Sequence, residues 1–278
     1  MEIYMKSLIY QIKSQINQRE FKICFWLLWS LSLGGFLLGC IHCYHNGYMT
    51  IRSAADNFLL VSTSARAVTM IFTLIFPLIA ATLCAGYRKK NEKNGDGLFS
   101  LLRMSKKKYI LGNATAVVMI TGLSILLVLV VNQLLCIIAF PITGFDNRFA
   151  MPQYMMAAGY DSTVLLDFWQ IQNPYIYNLL YSVMISVLGG GMALLAYGIC
   201  FLKKIEKMKS IQISIIIFAL FALMMVAGQL LDIPVLSYLS FVETGHYTNL
   251  LNYFIFIIVV YGAGIALSIK GMKNYEYI

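Results

Sequence analysis

Charged residues are scarce in this chain, and six long stretches contain none. Only 12% of the 278 residues are Asp, Glu, Lys or Arg, whereas 60% are hydrophobic. The uncharged stretches cover residues 23–51, 67–87, 109–145, 168–202, 210–231 and 244–269. Each one reaches the roughly 20 residues that a helix needs to cross a hydrocarbon core about 30 Å thick. This composition excludes a water-soluble fold and indicates a polytopic membrane protein.

The uncharged stretches predict an all-α fold, because backbone polar groups in lipid must be satisfied within each segment. Residues 1–22 form a separate cytoplasmic segment, predicted as an amphipathic interfacial helix with Met5, Leu8, Ile9, Ile12 and Ile16 on its apolar side. The polar residues predicted on the other, solvated side are Lys6, Gln11, Lys13, Ser14, Gln15 and Gln18. A solvated tail is the alternative for this segment. Residues 23–278 form one membrane domain with six transmembrane helices, at about 23–43, 66–86, 113–140, 178–202, 210–231 and 249–269.

Two features inside the predicted spans concern helix packing. Pro77 should kink the second span, and neighbouring helices should satisfy the carbonyl that its ring frees. Gly35 and Gly39 lie four residues apart in the first span, a spacing that allows helix backbones to approach closely. These glycines serve either packing within one subunit or a dimer seam along the first span.

Lys and Arg are divided unevenly between the two sides of the membrane. Of 21 such residues, the outer segments keep only Arg52, Arg66 and Arg148 when the N-terminus is placed in the cytoplasm. The positive-inside rule then predicts that both termini are cytoplasmic. The net charge of +9 therefore reflects this topology, and it should also attract anionic lipid headgroups. We expect no nucleic-acid partner, because the basic residues are divided among loops at a membrane surface. The frequent Lys, Ile, Asn and Tyr favour a bacterial plasma membrane.

The chain shows no constellation for catalysis. The apolar spans contain no buried Asp, Glu, Lys or Arg, and their polarity includes the amides of Asn132, Gln133, Gln229 and Asn252. The sequence contains neither a His-Glu-x-x-His motif nor a Gly-x-x-x-x-Gly-Lys-Ser/Thr phosphate loop. A proton-driven pump usually carries an ionisable residue at depth. We therefore expect no enzyme activity and no cofactor in this chain, and any uphill transport must take its energy from elsewhere.

The six cysteines all lie in or beside predicted spans, where they act as small hydrophobic residues. At the outer end of the first span, a compact cluster offers ligands for a soft metal: Cys40, His42, Cys43 and His45. No second half of such a site is visible in the sequence. A plain helix end is the alternative, so no metal site is predicted.

The cytoplasmic loop between the second and third spans carries an unusual apolar pattern. Its sequence over residues 88–113 is RKKNEKNGDGLFSLLRMSKKKYILGN. Gly95, Asp96 and Gly97 predict a turn, with Asp96 available as a helix N-cap. Leu98 to Met104 then form one to two apolar helical turns, too short to cross a membrane. Such a helix either inserts into a groove on a partner or lies on the lipid surface.

This loop resembles the first intracellular loop of type-2 ATP-binding-cassette (ABC) permeases, the membrane subunits of ABC exporters. The matching residues are Glu92, Gly97, Leu98, Leu101, Leu102, Ser105, Lys106, Tyr109, Leu111 and Gly112. The chain departs from the family at Met104, where Pro is usual, and at Asn113, where Lys is usual. The six spans and the N-terminal helix fit the same family, so the resemblance covers nearly the whole chain.

The resemblance implies that a separate ATPase subunit drives the permease. The loop would be the coupling helix that contacts this ATPase, through Glu92, Gly97, Leu98, Phe99, Leu101, Leu102, Arg103, Ser105 and Lys106. ATP and Mg²⁺ would be bound by the ATPase. A second permease copy, identical or related, would pack with spans one and five near the two-fold axis.

The sequence therefore predicts the permease subunit of an ATP-driven exporter. Its aromatic, Met-rich outer segment at 141–177 favours an amphipathic peptide or lipid-like cargo, and sugars, drugs and ions stay open. One alternative is a stand-alone carrier or channel that uses the amides of Asn132, Gln133 and Gln229 as ligands. Another is a membrane immunity or sensor subunit that transports nothing.

Overall fold

The computed structural model describes residues 2–45, 51–85, 105–143, 162–202, 208–245 and 248–274, and helices are the only extended secondary structure in this part of the chain. The long helices are α1 Glu2–Ile16, α2 Arg19–Cys43, α3 Arg66–Ala85, α4 Lys106–Ala139, α6 Pro174–Ile199, α7 Ser210–Leu230 and α9 Leu250–Asn274. The short ones are α5 Asp167–Gln172, a 3₁₀ turn at Pro234–Leu236 and α8 Leu239–Val242.

The expectation of six spanning helices is confirmed at the level of length and apolar composition. The six candidates lie at Arg19–Cys43, Arg66–Cys84, Lys106–Ala139, Pro174–Ile199, Ser210–Leu230 and Leu250–Lys270. Charged side chains are confined to the ends of these segments, as the cost of burying a charge in hydrocarbon requires. The fold is that of a multi-pass α-helical membrane protein.

Several helices extend beyond the predicted spans. Helix α4 begins at Lys106 and not at 113, so that its first turn is basic and its 34 residues exceed what a bilayer requires. Helix α6 begins at Pro174 and not at 178, because Asn173 caps it and accepts hydrogen bonds from the backbone N–H groups of Tyr175 and Ile176. Uncharged runs mark only the apolar part of each helix.

Helix α6 is the centre of the bundle. Its apolar window is 78% buried, against 28% or less for α2, α7 and α9. Helices α4, α9 and α3 pack most extensively against it, and α2 and α7 flank α3 on its two sides. Along α6 the axis of the bundle is filled by fully buried side chains, among them Tyr177, Tyr181, Ile185, Leu188 and Tyr197.

Glycines allow this central helix to touch its neighbours closely. A Cβ added to Gly189 would overlap Cδ1 of Ile125 on α4, and one added to Gly191 would lie 2.8 Å from the Tyr261 ring on α9. Such distances are well inside van der Waals contact, so a larger residue would push the helices apart. The small residues of α6 therefore serve packing within one chain.

The exposed surface of the bundle is apolar. Leu223 on α7 and Ile258 on α9 are each 69% exposed, and α2, α7 and α9 present further exposed Leu, Ile and Val residues. In water such a surface would associate. In a bilayer it is the surface that contacts acyl chains.

Candidate functional site

The two ends of the bundle carry different structures. Helix α1 and the start of α4 lie at one end, called here the N-terminal end. The connecting segments 51–65 and 231–245 lie at the other, called the loop end. Most of the predicted ATPase-contact residues fall outside the described part of the chain. These are Glu92, Gly97, Leu98, Phe99, Leu101, Leu102 and Arg103.

The last two predicted contact residues lie at the start of α4. Ser105 has an extended backbone and is the N-cap of the helix, and Lys106 is its first residue. Tyr109 and Ile110 are already buried one turn later, and the Tyr197 hydroxyl of α6 donates to the Ile110 carbonyl at 3.4 Å. Helix α4 thus enters the core of the bundle from its first turn onward.

Helix α1 packs on the bundle through a stripe of glutamines. Gln11, Gln15 and Gln18 are buried, at spacings of four and three residues. The Cys84 thiol of α3 donates to Oε1 of Gln15 at 3.5 Å, and it also contacts the hydroxyl of Thr121 on α4 at 3.3 Å. The predicted helix is present, but its glutamines do not share a solvated side with its lysines.

The glutamine stripe gives α1 two distinct sides. Ile9, Lys13 and Ile16 are exposed on one side, at spacings of four and three residues, and the glutamines face the bundle on the opposite side. An exposed side that carries both apolar and basic residues fits a helix lying where lipid meets water. The buried side ties the helix to α3 and α4.

At the loop end, segment 51–65 folds back into the bundle. The sequence predicts an outer loop here, but the segment is almost completely buried at Ala54, Ala55, Phe58, Leu59 and Leu60. Buried backbone requires hydrogen-bond partners. Turns within the segment supply some of them, and side chains from two spanning helices supply others.

Amide side chains of α4 and α6 hold this segment. Asn132 accepts from the N–H of Leu59 at 2.9 Å and donates to the Ser32 carbonyl of α2 at 2.9 Å. Gln133 donates to the Ala54 carbonyl at 3.3 Å. Asn178 donates to the Gln133 side chain at 2.7 Å and to the Ala55 carbonyl at 3.0 Å. All three amide side chains therefore form hydrogen bonds within the protein.

The carrier alternative needs the same amides as free ligands. Asn132 and Gln133 are engaged with the segment 51–65, whereas Gln229 is exposed near the end of α7. Two of the three amides are therefore already bonded to the protein backbone. The role of Asn178 was missed because a single Asn in an apolar run gives no local signal of a partner more than a hundred residues away.

Segment 231–245 forms the second part of the loop end. Tyr238 is buried, and its hydroxyl donates to the carbonyls of Thr73 and Leu74 on α3, at 3.3 Å each. The Thr73 carbonyl is the one that the ring of Pro77 frees in an α-helix. The expectation that this carbonyl finds a partner is confirmed, and the donor comes from a connecting segment instead of a neighbouring span.

The two connecting segments also contact each other. Thr244 donates to the carbonyl of Leu60 at 3.2 Å, and the Tyr181 hydroxyl of α6 donates to the carbonyl of Glu243 at 2.8 Å. Together, residues 51–65 and 231–245 cover the ends of α3 and α6. We call this pair the loop-end cap.

The predicted packing glycines face the loop-end cap. A Cβ on Gly35 would lie 2.5 Å from Cδ1 of Leu59, and one on Gly39 would lie 3.4 Å from the Phe140 ring and 3.6 Å from the Asn57 side chain. Both glycines are buried. Their geometry is that of packing within one chain, the first of the two alternatives, and they do not lie on the exposed side of α2.

The Cys and His residues at the end of α2 do not converge. Cys40 and Cys43 are free thiols, and His42 and His45 are exposed. Among the described residues, no group of three or more His, Cys, Asp or Glu side chains could hold a metal ion.

The chain was compared with family models, curated proteins and solved structures. No family, curated protein or solved structure matches the chain.

Proposed function

We propose that this chain is the permease subunit of an ATP-driven ABC exporter in a bacterial plasma membrane. The observation that carries the proposal is that helix α4 begins within the predicted coupling loop of residues 88–113 and enters the core one turn later. The helix starts at Lys106, and Tyr109 and Ile110 are buried. It then packs along the central helix α6. A force applied to the loop would reach the centre of the bundle through one continuous helix.

Helix α1 supports the same end of the bundle. Its glutamine stripe packs against α3 and α4, and Gln15 contacts Cys84, the neighbour of both Val117 and Thr121. An ATPase bound at the loop would therefore contact an end of the bundle where α1 and α4 are packed against each other.

The cargo path lies between two copies of the permease. The axis of a single copy is filled along α6 by buried Tyr, Leu and Ile side chains, so the space for a path must come from a second copy, identical or related. ATP and Mg²⁺ are held by the partner ATPase, and this chain carries out no catalysis. An amphipathic peptide or lipid-like molecule remains the favoured cargo.

A co-purification experiment tests the proposal. The tagged chain is isolated from membranes of its native host, and bound proteins with a Walker-type phosphate loop are identified by mass spectrometry. The double variant Leu101→Asp/Leu102→Asp should then recover at least about tenfold less ATPase, because seating two carboxylates in an apolar groove costs several kcal/mol. The amount of permease in the membrane should stay the same.

The control is Met208→Asp, which adds an acidic residue to the exposed segment before α7 at the same end of the bundle. This variant should retain the ATPase. Recovery of the ATPase at the same level with the double variant, or of no ATPase with the native sequence, would contradict the proposal.

A further inference from the structure

A groove lies where α1 meets α2, at the N-terminal end of the bundle. Its volume is about 590 Å³. Gln18 connects the two helices with an extended backbone, so that the end of α1 turns away from the start of α2. The lining residues are Asn17, Arg19, Lys22, Ile23 and Trp26. Neither the transport proposal nor the loop-end cap uses this groove.

The lining residues of α2 form one stripe with a change of polarity along it. Arg19, Lys22, Ile23 and Trp26 recur at the spacing that places residues on one side of a helix. The two basic residues lie at the helix end, and Trp26 lies one turn farther along, roughly 6 Å beyond Lys22. Ile23 and Trp26 are 56% and 70% exposed. The groove thus passes from cationic to apolar over the depth at which a lipid headgroup joins its acyl chains.

The charges in the groove are not neutralised from within. Within the described ranges, neither the Arg19 nor the Lys22 side chain has a hydrogen bond or an ion pair. Glu20 is the acidic residue in the first turn of α2, and it does not line the groove. The side chain of Gln18 makes no capping hydrogen bond, so the first N–H groups of α2 add positive potential.

We propose that this groove binds one anionic glycerophospholipid. Its phosphate lies between Arg19 and Lys22, and its glycerol and upper acyl segment lie along Ile23 and Trp26. A free phosphate would use only the cationic half, whereas a lipid also covers the exposed apolar half. The described lining residues include two cations and no acidic group, which selects an anionic headgroup over a zwitterionic one. The proposal needs membrane insertion of α2 alone and is independent of any ATPase.

Tryptophan quenching in nanodiscs tests this site. The chain contains three Trp residues, and the variant Trp29→Phe/Trp169→Phe leaves Trp26 as the only one. Brominated phosphatidylglycerol and brominated phosphatidylcholine are compared at equal mole fraction in an otherwise unbrominated phosphatidylcholine bilayer. Two cations near a headgroup should enrich the anionic lipid roughly thirtyfold at the groove, so it should quench Trp26 much more strongly.

In the variant Arg19→Gln/Lys22→Gln, made in the same single-Trp chain, the two brominated lipids should quench the Trp26 fluorescence equally. The control Lys107→Gln/Lys209→Gln removes two other exposed cations from helix starts at the same end, and it should keep the preference. Glycerol phosphate in solution should not reduce the quenching. Native mass spectrometry of the unmodified chain should show one retained phosphatidylglycerol.

Three results would overturn the proposal. The first is equal quenching by the two lipids in the single-Trp chain, with no lipid retained by the unmodified chain. The second is a preference lost equally in the control variant, which would indicate general surface attraction. The third is displacement by glycerol phosphate, which would indicate a free-phosphate site. Because none of these measurements involves nucleotide or transport, their outcome is separate from that of the co-purification experiment.

Discussion

Tyr238 and Pro77 form a pair at the residue scale, since the tyrosine donates to the carbonyl that the proline leaves open. Tyr238→Phe removes the hydrogen bonds to Thr73 and Leu74 and should lower the free energy of unfolding in mild detergent by about 1–2 kcal/mol. Pro77→Ala restores an N–H group for Thr73. It should therefore reduce the cost of Tyr238→Phe, as a double-mutant cycle would measure.

The matched control is Tyr261→Phe, which removes a hydroxyl that donates to the Val187 carbonyl on α6 at 2.8 Å. No proline is involved there, so Pro77→Ala should leave its cost unchanged. Equal coupling of Pro77→Ala to both tyrosine variants would show that the freed carbonyl is not the cause.

The same tyrosine predicts a response to high pH. Burial raises the pKa of Tyr238 to about 12, above the value of about 10 for an unfolded tyrosine. The unfolded state therefore loses its proton first, and the stability that this group contributes is lost as the pH rises from about 10 to about 12. Tyr238→Phe should show a smaller loss of stability over this interval, measured by denaturant titration at each pH.

At the scale of elements, the segment 51–65 depends on α4 for its place in the bundle. Asn132→Leu keeps the side-chain volume but removes the partner of the Leu59 N–H and a donor to Ser32. We expect a loss of about 1–3 kcal/mol in the free energy of unfolding, measured by denaturant titration in detergent. Gln229→Leu, on the exposed end of α7, should change it by less than about 0.5 kcal/mol.

The contrast between these two amides is informative because the carrier alternative gives them the same role. If Gln229→Leu costs as much as Asn132→Leu, the assignment of Asn132 as a structural tie is wrong. An unchanged stability of Asn132→Leu would have the same meaning. The sequence gives Asn132 and Gln229 the same predicted role as polar ligands. In the structure Asn132 is buried and hydrogen-bonded whereas Gln229 is exposed, so only the first substitution should lower the stability.

The limits of sequence reasoning are also clearest for these elements. The spanning helices could be predicted, because each is specified by a local run of apolar residues and by charges at its ends. The path of segment 51–65 could not, because Asn132 is 73 residues from Leu59 and Asn178 is 123 residues from Ala55. The glutamines of α1 were misassigned for a related reason. Their spacing defines a face, but only the contact with Cys84 shows that this face is buried.

For the whole molecule, the two ends of the bundle differ in charge as well as in structure. The N-terminal end has Arg19 and Lys22 at the start of α2, Lys106 to Lys108 at the start of α4, and Lys209 before α7. The loop end has Arg52 and Arg66, and Arg52 donates to Thr63 within the cap. Since Lys and Arg orient membrane proteins more strongly than acidic residues do, the N-terminal end should face the cytoplasm.

Thiol labelling in intact cells measures this orientation. In a Cys40→Ala/Cys43→Ala background, the remaining cysteines are buried, and one new thiol is placed by Arg66→Cys or by Lys107→Cys, both at exposed positions. A membrane-impermeant maleimide should label Arg66→Cys in intact cells and should label Lys107→Cys only after permeabilisation. The opposite pattern would place the predicted coupling loop outside the cell, where no ATP is available to a partner ATPase, and the proposed mechanism would then be impossible.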